Sequence, residues 1–203
     1  IKAWVRGQFR WDWSDPNARL GWLLILGTIP AALAGALFED FFESLFASPG
    51  WVSFFLLVTA ALLATSEYIG RRFRDLGDMR WIDALFIGLA QAAAIAPGIS
   101  RSGATIAAGL SRGMERSAAA RFSFFLAAMI IAGAGAVQLI DLFAAPDPLV
   151  HVPVLVAGFV AAAVAGYLCI WGLLRYLQRG RLYPFAIYCA VVGTLTLIVS
   201  LVR

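Results

Sequence analysis

The sequence predicts an all-α, polytopic membrane helical bundle, and three observations carry that prediction. Of its 203 residues 62% are apolar and 14% charged, with a mean hydropathy of +0.84, a balance far from that of a water-soluble domain. Five apolar runs are long enough to cross a hydrocarbon core, which takes about 20 residues. Between the second and third of them lies another apolar stretch, broken in its middle by Ala96-Pro97-Gly98-Ile99-Ser100-Arg101-Ser102-Gly103-Ala104-Thr105. Arginine is costly inside a membrane, so its presence there is by default a functional signal. Irregular backbone persists at that depth only when packed in protein or lining a wet cavity.

Taken in order, Ile1 to Arg19 is polar with Trp4, Trp11 and Trp13 and reads as an interfacial connector with tryptophans at headgroup level. Leu20 to Phe38 is the first span, which Pro30 need only kink. Glu39-Asp40-Phe41-Phe42-Glu43 through Gly50 is expected to be a short acidic loop, and Trp51 to Ile69 the second span. A basic loop runs from Arg71 to Arg80. After the broken segment, Ser117 to Phe143, Pro153 to Leu177 and Tyr183 to Val202 are the third, fourth and fifth spans. Nineteen glycines suit close helix approach in a bilayer. Cys169 and Cys189 both fall in apolar runs and read as packing residues. The net charge of +4 does not point to nucleic acid, because the basic residues cluster at the ends of apolar runs and form no stripe. No cleavable signal peptide is recognisable, and residue 1 is not methionine, so the 203 residues are expected to be one membrane domain of a longer protein.

The broken segment, residues 82–113, has two readings. As helices, Ile82 to Ala96 would measure about 22 Å and Gly103 to Gly113 less, and neither alone crosses a core of roughly 30 Å. It is either one interrupted crossing or a re-entrant hairpin. A hairpin places Arg6, Arg10, Arg19, Arg71, Arg72, Arg74, Arg80, Arg112, Arg116, Arg121, Arg175, Arg179 and Arg181 on one face. Glu39, Asp40, Glu43, Asp141, Asp147 and Arg203 fall on the other, which is the positive-inside pattern. A full crossing scatters the arginines over both faces. The hairpin is therefore predicted, with its basic ends cytoplasmic.

At the tip of such a hairpin, Arg101 offers a fixed fork of donors suited to phosphate and unable to deprotonate. Ser100, Ser102 and Thr105 add hydroxyls, and Gly98 and Gly103 permit the turn. If the chain is helical from Gly103, its first amides and positive dipole end point at the same place. The residues describe a cradle for a phosphate or diphosphate inside the membrane. The plainer alternative is a structural arginine capping the turn.

The string Pro97-Gly98-Ile99-Ser100-Arg101-Ser102-Gly103-Ala104-Thr105 resembles the second signature motif of the bacterial undecaprenyl-pyrophosphate phosphatases. The likeness continues in Gln91, in Ala120-Arg121-Phe122-Ser123-Phe124 and in Pro184-Phe185-Ala186-Ile187-Tyr188, and runs from about Leu20 onward. It implies half of an inverted-repeat fold and a membrane enzyme that hydrolyses undecaprenyl diphosphate to the monophosphate, recycling the lipid carrier of cell-wall synthesis. It further implies bacitracin resistance on overproduction, a plasma-membrane location and a site open to the periplasmic side. Catalytic roles fall on Arg101, Ser100, Ser102 and Thr105, and substrate contacts on Gly98, Gly103 and Gln91. Mg²⁺ or Ca²⁺ would be held mainly by glutamates of an N-terminal re-entrant motif expected upstream of Ile1, so the chain alone is expected to be inactive. A homodimer is compatible with the resemblance. The alternative from another class is a lipid-phosphate flippase or transporter that binds phosphate without cleaving it.

Other polar residues invite weighing. Glu39 and Glu43 have i,i+4 spacing but read as an acidic loop, and His151 as interfacial. Glu67 reads as a structural partner for Arg71 or Arg74, and Glu115 as a partner for Arg112 or Arg116.

Overall fold

The computed structural model describes residues 15–69, 73–144 and 152–202. Trp4, Trp11, Trp13, Arg6, Arg10, Arg71, Arg72, Asp147, His151 and Arg203 lie outside these residues, as does the side chain of Asp141. Helices in chain order are α1 (Pro16–Leu37), α2 (Glu39–Phe46), α3 (Pro49–Ile69), α4 (Trp81–Ala93), α5 (Arg101–Ser111), α6 (Arg116–Ala144), α7 (Val152–Leu177) and α8 (Tyr183–Val202). Five of them, α1, α3, α6, α7 and α8, are long and apolar enough to cross a membrane. The protein is an all-α, multi-pass membrane protein.

Local chemistry explains most boundaries. Asp15 caps α1 by accepting the Asn17 amide at 2.9 Å, with Pro16 in the first helical position where its missing N–H costs nothing. Pro30 lies inside α1 without ending it. The stretch after α1 differs from expectation: residues 39–46 form a helix, not a loop. Glu39 and Asp40 occupy its first turn, where the helix dipole favours negative charge, and Leu45 is buried. Sequence reading took its acidity as a loop signal and missed its apolar face.

α4 and α5 are short, 13 and 11 residues, and fold back on one another. The outer ends of this helical pair meet. Asp83 in the first turn of α4 is fully buried. It accepts hydrogen bonds from Arg74 at 2.5 Å, from Arg112 just past α5 at 2.8 Å, and from the Arg80 amide at 2.9 Å. Arg74 also reaches the Arg112 carbonyl at 2.9 Å, and its own carbonyl accepts the Glu115 amide at 2.9 Å. Arg19 ties the start of α1 to the same loop through the carbonyls of Gly77 and Met79. Of the expected partners of Glu67, Arg74 is committed elsewhere and Arg71 lies outside the described residues. Arg74 and Arg112 serve Asp83. Glu67, nearly buried, pairs with Arg116 and lies 3.4 Å from the Leu182 amide.

α5 is the hub. It packs on α3, α4 and α6, and every residue from Gly103 to Leu110 is buried. Around it α3 lies along α8 and α1 along α4. The α1–α4 crossing depends on two glycines: a Cβ on Gly88 would sit 2.4 Å from the Gly27 carbonyl oxygen. Small residues at such crossings let backbones approach where hydrocarbon gives no hydrophobic drive. Leu23, Leu24, Ile87, Ile106, Leu110, Phe122 and Leu126 fill the centre.

Replacing one member of a buried ion cluster leaves uncompensated charge. Asp83→Asn should therefore cost about 3–5 kcal/mol, read as a lower unfolding temperature in detergent, and Glu115→Gln should leave that temperature nearly unchanged.

Candidate functional site

The hairpin tip is a turn built on one left-handed residue. Gly98 has φ 95°, and a Cβ there would lie 2.3 Å from the Val52 carbonyl oxygen, so both backbone and space require glycine. Gly103 plays a different part: it is inside α5, and its amide donates to Ser100 Oγ at 3.1 Å, which makes Ser100 the N-cap. The turn is braced from α3. Thr59 Oγ1 donates to the Gly98 carbonyl at 3.1 Å and accepts the Ser100 amide at 3.1 Å. One buried hydroxyl thus satisfies a backbone acceptor and a backbone donor where water is scarce.

Arg101 follows as the first residue of α5. It lines a cavity of about 820 Å³ bounded by α1, α2, α4 and α6, together with Gln91, Thr28, Glu39, Glu43 and Gln138. Among the described residues Arg101 makes no ion pair. Gln91 is 1% exposed, and neither its Oε1 nor its Nε2 has a hydrogen-bond partner among the described residues. A buried carboxamide left unpaired costs roughly 1–3 kcal/mol, so this one is poised for a ligand or water in the cavity. The remaining walls are apolar and include Phe42, Phe46, Met129, Ile130 and Val137.

The motif residues do not converge on one point. Arg101 and Gln91 share the large cavity. Gly98, Ser100, Ser102 and Gly103 border a separate, mostly apolar cavity of about 310 Å³, with Leu56 of α3, Leu173 of α7 and Phe185 of α8. Thr105 borders neither cavity; the residue is 1% exposed and its hydroxyl sits among Arg101, Ser102 and Ser123. Sequence reading passed over Thr59 and named Ser123 only within a matching string, without a role; both are single hydroxyls in apolar runs whose partners are distant in the chain. It also placed Glu39 and Glu43 outside any site, whereas both line the cavity of Arg101. The i,i+4 spacing that puts both on one helix face was the available signal.

Among the described residues no group of three or more His, Cys, Asp or Glu side chains is gathered that could hold a metal ion. The large cavity offers only Glu39 and Glu43 as carboxylates, which is too few oxygen ligands for a complete Mg²⁺ or Ca²⁺ site.

Comparison with known proteins adds to this geometry. The family described as bacitracin resistance protein BacA matches residues 1–195. A curated undecaprenyl-diphosphatase of Methanothermobacter thermautotrophicus is 51% identical over 183 residues, which cover 89% of this chain and all of that protein. One from Halothermothrix orenii is 45% identical over 88% of this chain and 69% of its own length. Another, from Thermomicrobium roseum, is 41% identical over the whole chain and 76% of its own length.

Because Gly98 is constrained twice over, Gly98→Ala should weaken the fold more than Gly133→Ala, a position where an added methyl meets nothing. Thermal unfolding of the two variants side by side measures the difference. A strained left-handed residue alone accounts for about 1–2 kcal/mol of it.

Proposed function

The chain belongs to the bacitracin resistance protein BacA family, and from that premise we propose that it takes the phosphatase role its curated relatives are named for: hydrolysis of undecaprenyl diphosphate to undecaprenyl phosphate and inorganic phosphate. One observation carries the proposal. An arginine with no ion-pair partner among the described residues and a buried carboxamide with both ends free share a cavity that is otherwise largely apolar. That combination suits a ligand with an anionic head and a hydrocarbon body.

In this reading the diphosphate oxygens take the guanidinium fork of Arg101, whose charge cannot be lost by deprotonation. Gln91 donates through Nε2 to a phosphoryl oxygen and accepts through Oε1 from a hydroxyl or water. The first turn of α5 adds the partial positive charge of its dipole. Cleavage breaks one bridging P–O bond, adds the elements of water and transfers negative charge onto the leaving phosphate, so a fixed cation beside that oxygen lowers the barrier. Mg²⁺ or Ca²⁺ would need further ligands beyond Glu39 and Glu43 and, when bound, would supply positive charge to the diphosphate oxygens. The chain would sit in the plasma membrane. The positive-inside rule puts the loops of Arg74, Arg112, Arg116 and Arg179 in the cytoplasm and α2 outside. The hairpin then enters from the cytoplasmic side, and the Arg101 cavity opens past Glu39 and Glu43 toward the exterior.

In any form of the protein that releases phosphate from undecaprenyl diphosphate in vesicles, Arg101→Ala should lower kcat/KM by about 100-fold or more. Arg101→Lys should recover only part of the loss, since a lysine carries charge without the fork. Turnover of Arg101→Ala within a few-fold of the parent would refute the assignment. The same assay on the purified 203-residue chain tests whether that chain suffices for turnover.

A further inference from the structure

We propose that Ser123 of α6 is a positioning residue for the anion site: through Thr105 it holds the first turn of α5, and with it Arg101, against the cavity wall. The inference rests on Arg101 being the anion-binding group.

Helical hydroxyls in an apolar surrounding ordinarily donate to a carbonyl one turn back. Thr28, Ser53, Thr65, Ser66, Ser111 and Thr196 all do so here. Ser123 makes no such bond. Although it is 3% exposed, its Oγ instead meets Thr105 Oγ1 on another helix at 2.6 Å. Thr105 in turn lies 2.8 Å from the Arg101 carbonyl oxygen and 3.2 Å from that of Ser102. Carbonyls only accept, and each hydroxyl has one proton. The arrangement that uses both protons runs one way, with Ser123 donating to Thr105 and Thr105 donating to Arg101.

The consequence is mechanical. α6 carries Ser123 and, two turns further along the same face, Ile130, which lines the Arg101 cavity. The hydroxyl pair fixes how far the first turn of α5 stands from that wall. Ile106 and Leu110 anchor the middle and end of α5 in the core, but Ser102, Gly103 and Ala104 are small, so the hydroxyl pair is the side-chain tie to α6 nearest Arg101. Without the Ser123 proton the turn keeps its helical hydrogen bonds but loses its lateral register, and the guanidinium is misplaced relative to Gln91.

The test uses the 203-residue chain in detergent with farnesyl diphosphate, a short lipid diphosphate, and reads its Kd by calorimetry and the unfolding temperature in parallel. Ser123→Ala should weaken binding about three- to tenfold, the range of one neutral hydrogen bond. Added to Thr105→Val, or to Arg101→Ala, the same change should have no further effect on Kd, because coupled residues are non-additive. Ser123→Cys, which keeps a weaker donor of similar size, should fall between parent and alanine variant, and it carries the test if the alanine variant does not fold. A Ser123→Ala chain with a lower unfolding temperature but the parental Kd overturns the proposal, as does additivity with Thr105→Val. If the parent does not bind the probe, or Arg101→Ala binds it equally well, the anion-site reading itself falls and this relay falls with it.

Discussion

The cluster of Asp83 with Arg74, Arg112 and the Arg80 amide is the interaction on which the rest of the structure depends. Two helices of 13 and 11 residues have too few turns to be stable alone. A carboxylate that accepts from residues before α4 and after α5 closes the pair into a loop with a defined base. Once the base is closed, the position of the tip follows from helix length, and Arg101 is delivered to one depth in the bundle. The charges are compensated where they stand, so the cluster can be buried without neutralising any member.

At the tip the problem reverses: there the backbone, not a side chain, lacks partners. The turn at Gly98 leaves carbonyls and amides that neither helix can satisfy, and Thr59 and the Ser100 cap supply the missing bonds. Arg101, by contrast, makes no ion pair and the Gln91 carboxamide no hydrogen bond among the described residues. That contrast, more than the presence of an arginine, separates a binding site from a structural cap. It also explains why α5 is so poor in large side chains: the site lies at its N-terminus, and its body must pass between three neighbours.

Much of this was legible in the residues. Long apolar runs marked the five spanning helices to within a few positions, because crossing length is imposed by the bilayer. Pro97 and Gly98 marked the break, and the distribution of arginines favoured a fold-back. The failures share one physical cause, which is that local composition is silent about tertiary partners. Asp83 sat at the edge of a basic loop with no indication that Arg112, 29 residues on, would reach it. Residues 39–46 were acidic enough to look like a loop although their aromatic and leucine positions make a helical face. Thr59 and Ser123 are ordinary within their own segments and acquire meaning only from what stands opposite. The motif also suggested one converged cluster, whereas helical geometry turns consecutive residues to different sides, so Arg101 and Ser102 open onto different cavities.

The fourth long helix, α7, packs within the chain chiefly on α6; its most apolar stretch is not buried at all, and only its last turns reach the core. In water such a helix would collapse onto the bundle; in hydrocarbon its valines and leucines are equally well solvated by lipid tails. Its place is then set by the core packing of Leu173, Leu174 and Leu177 in its last turns and by the interfacial preference of groups such as Arg175, which lies over the Trp171 ring. Substitutions before Leu173 that preserve overall hydropathy should be nearly silent for folding, so this stretch of the chain can drift in sequence while the hairpin and its supports cannot.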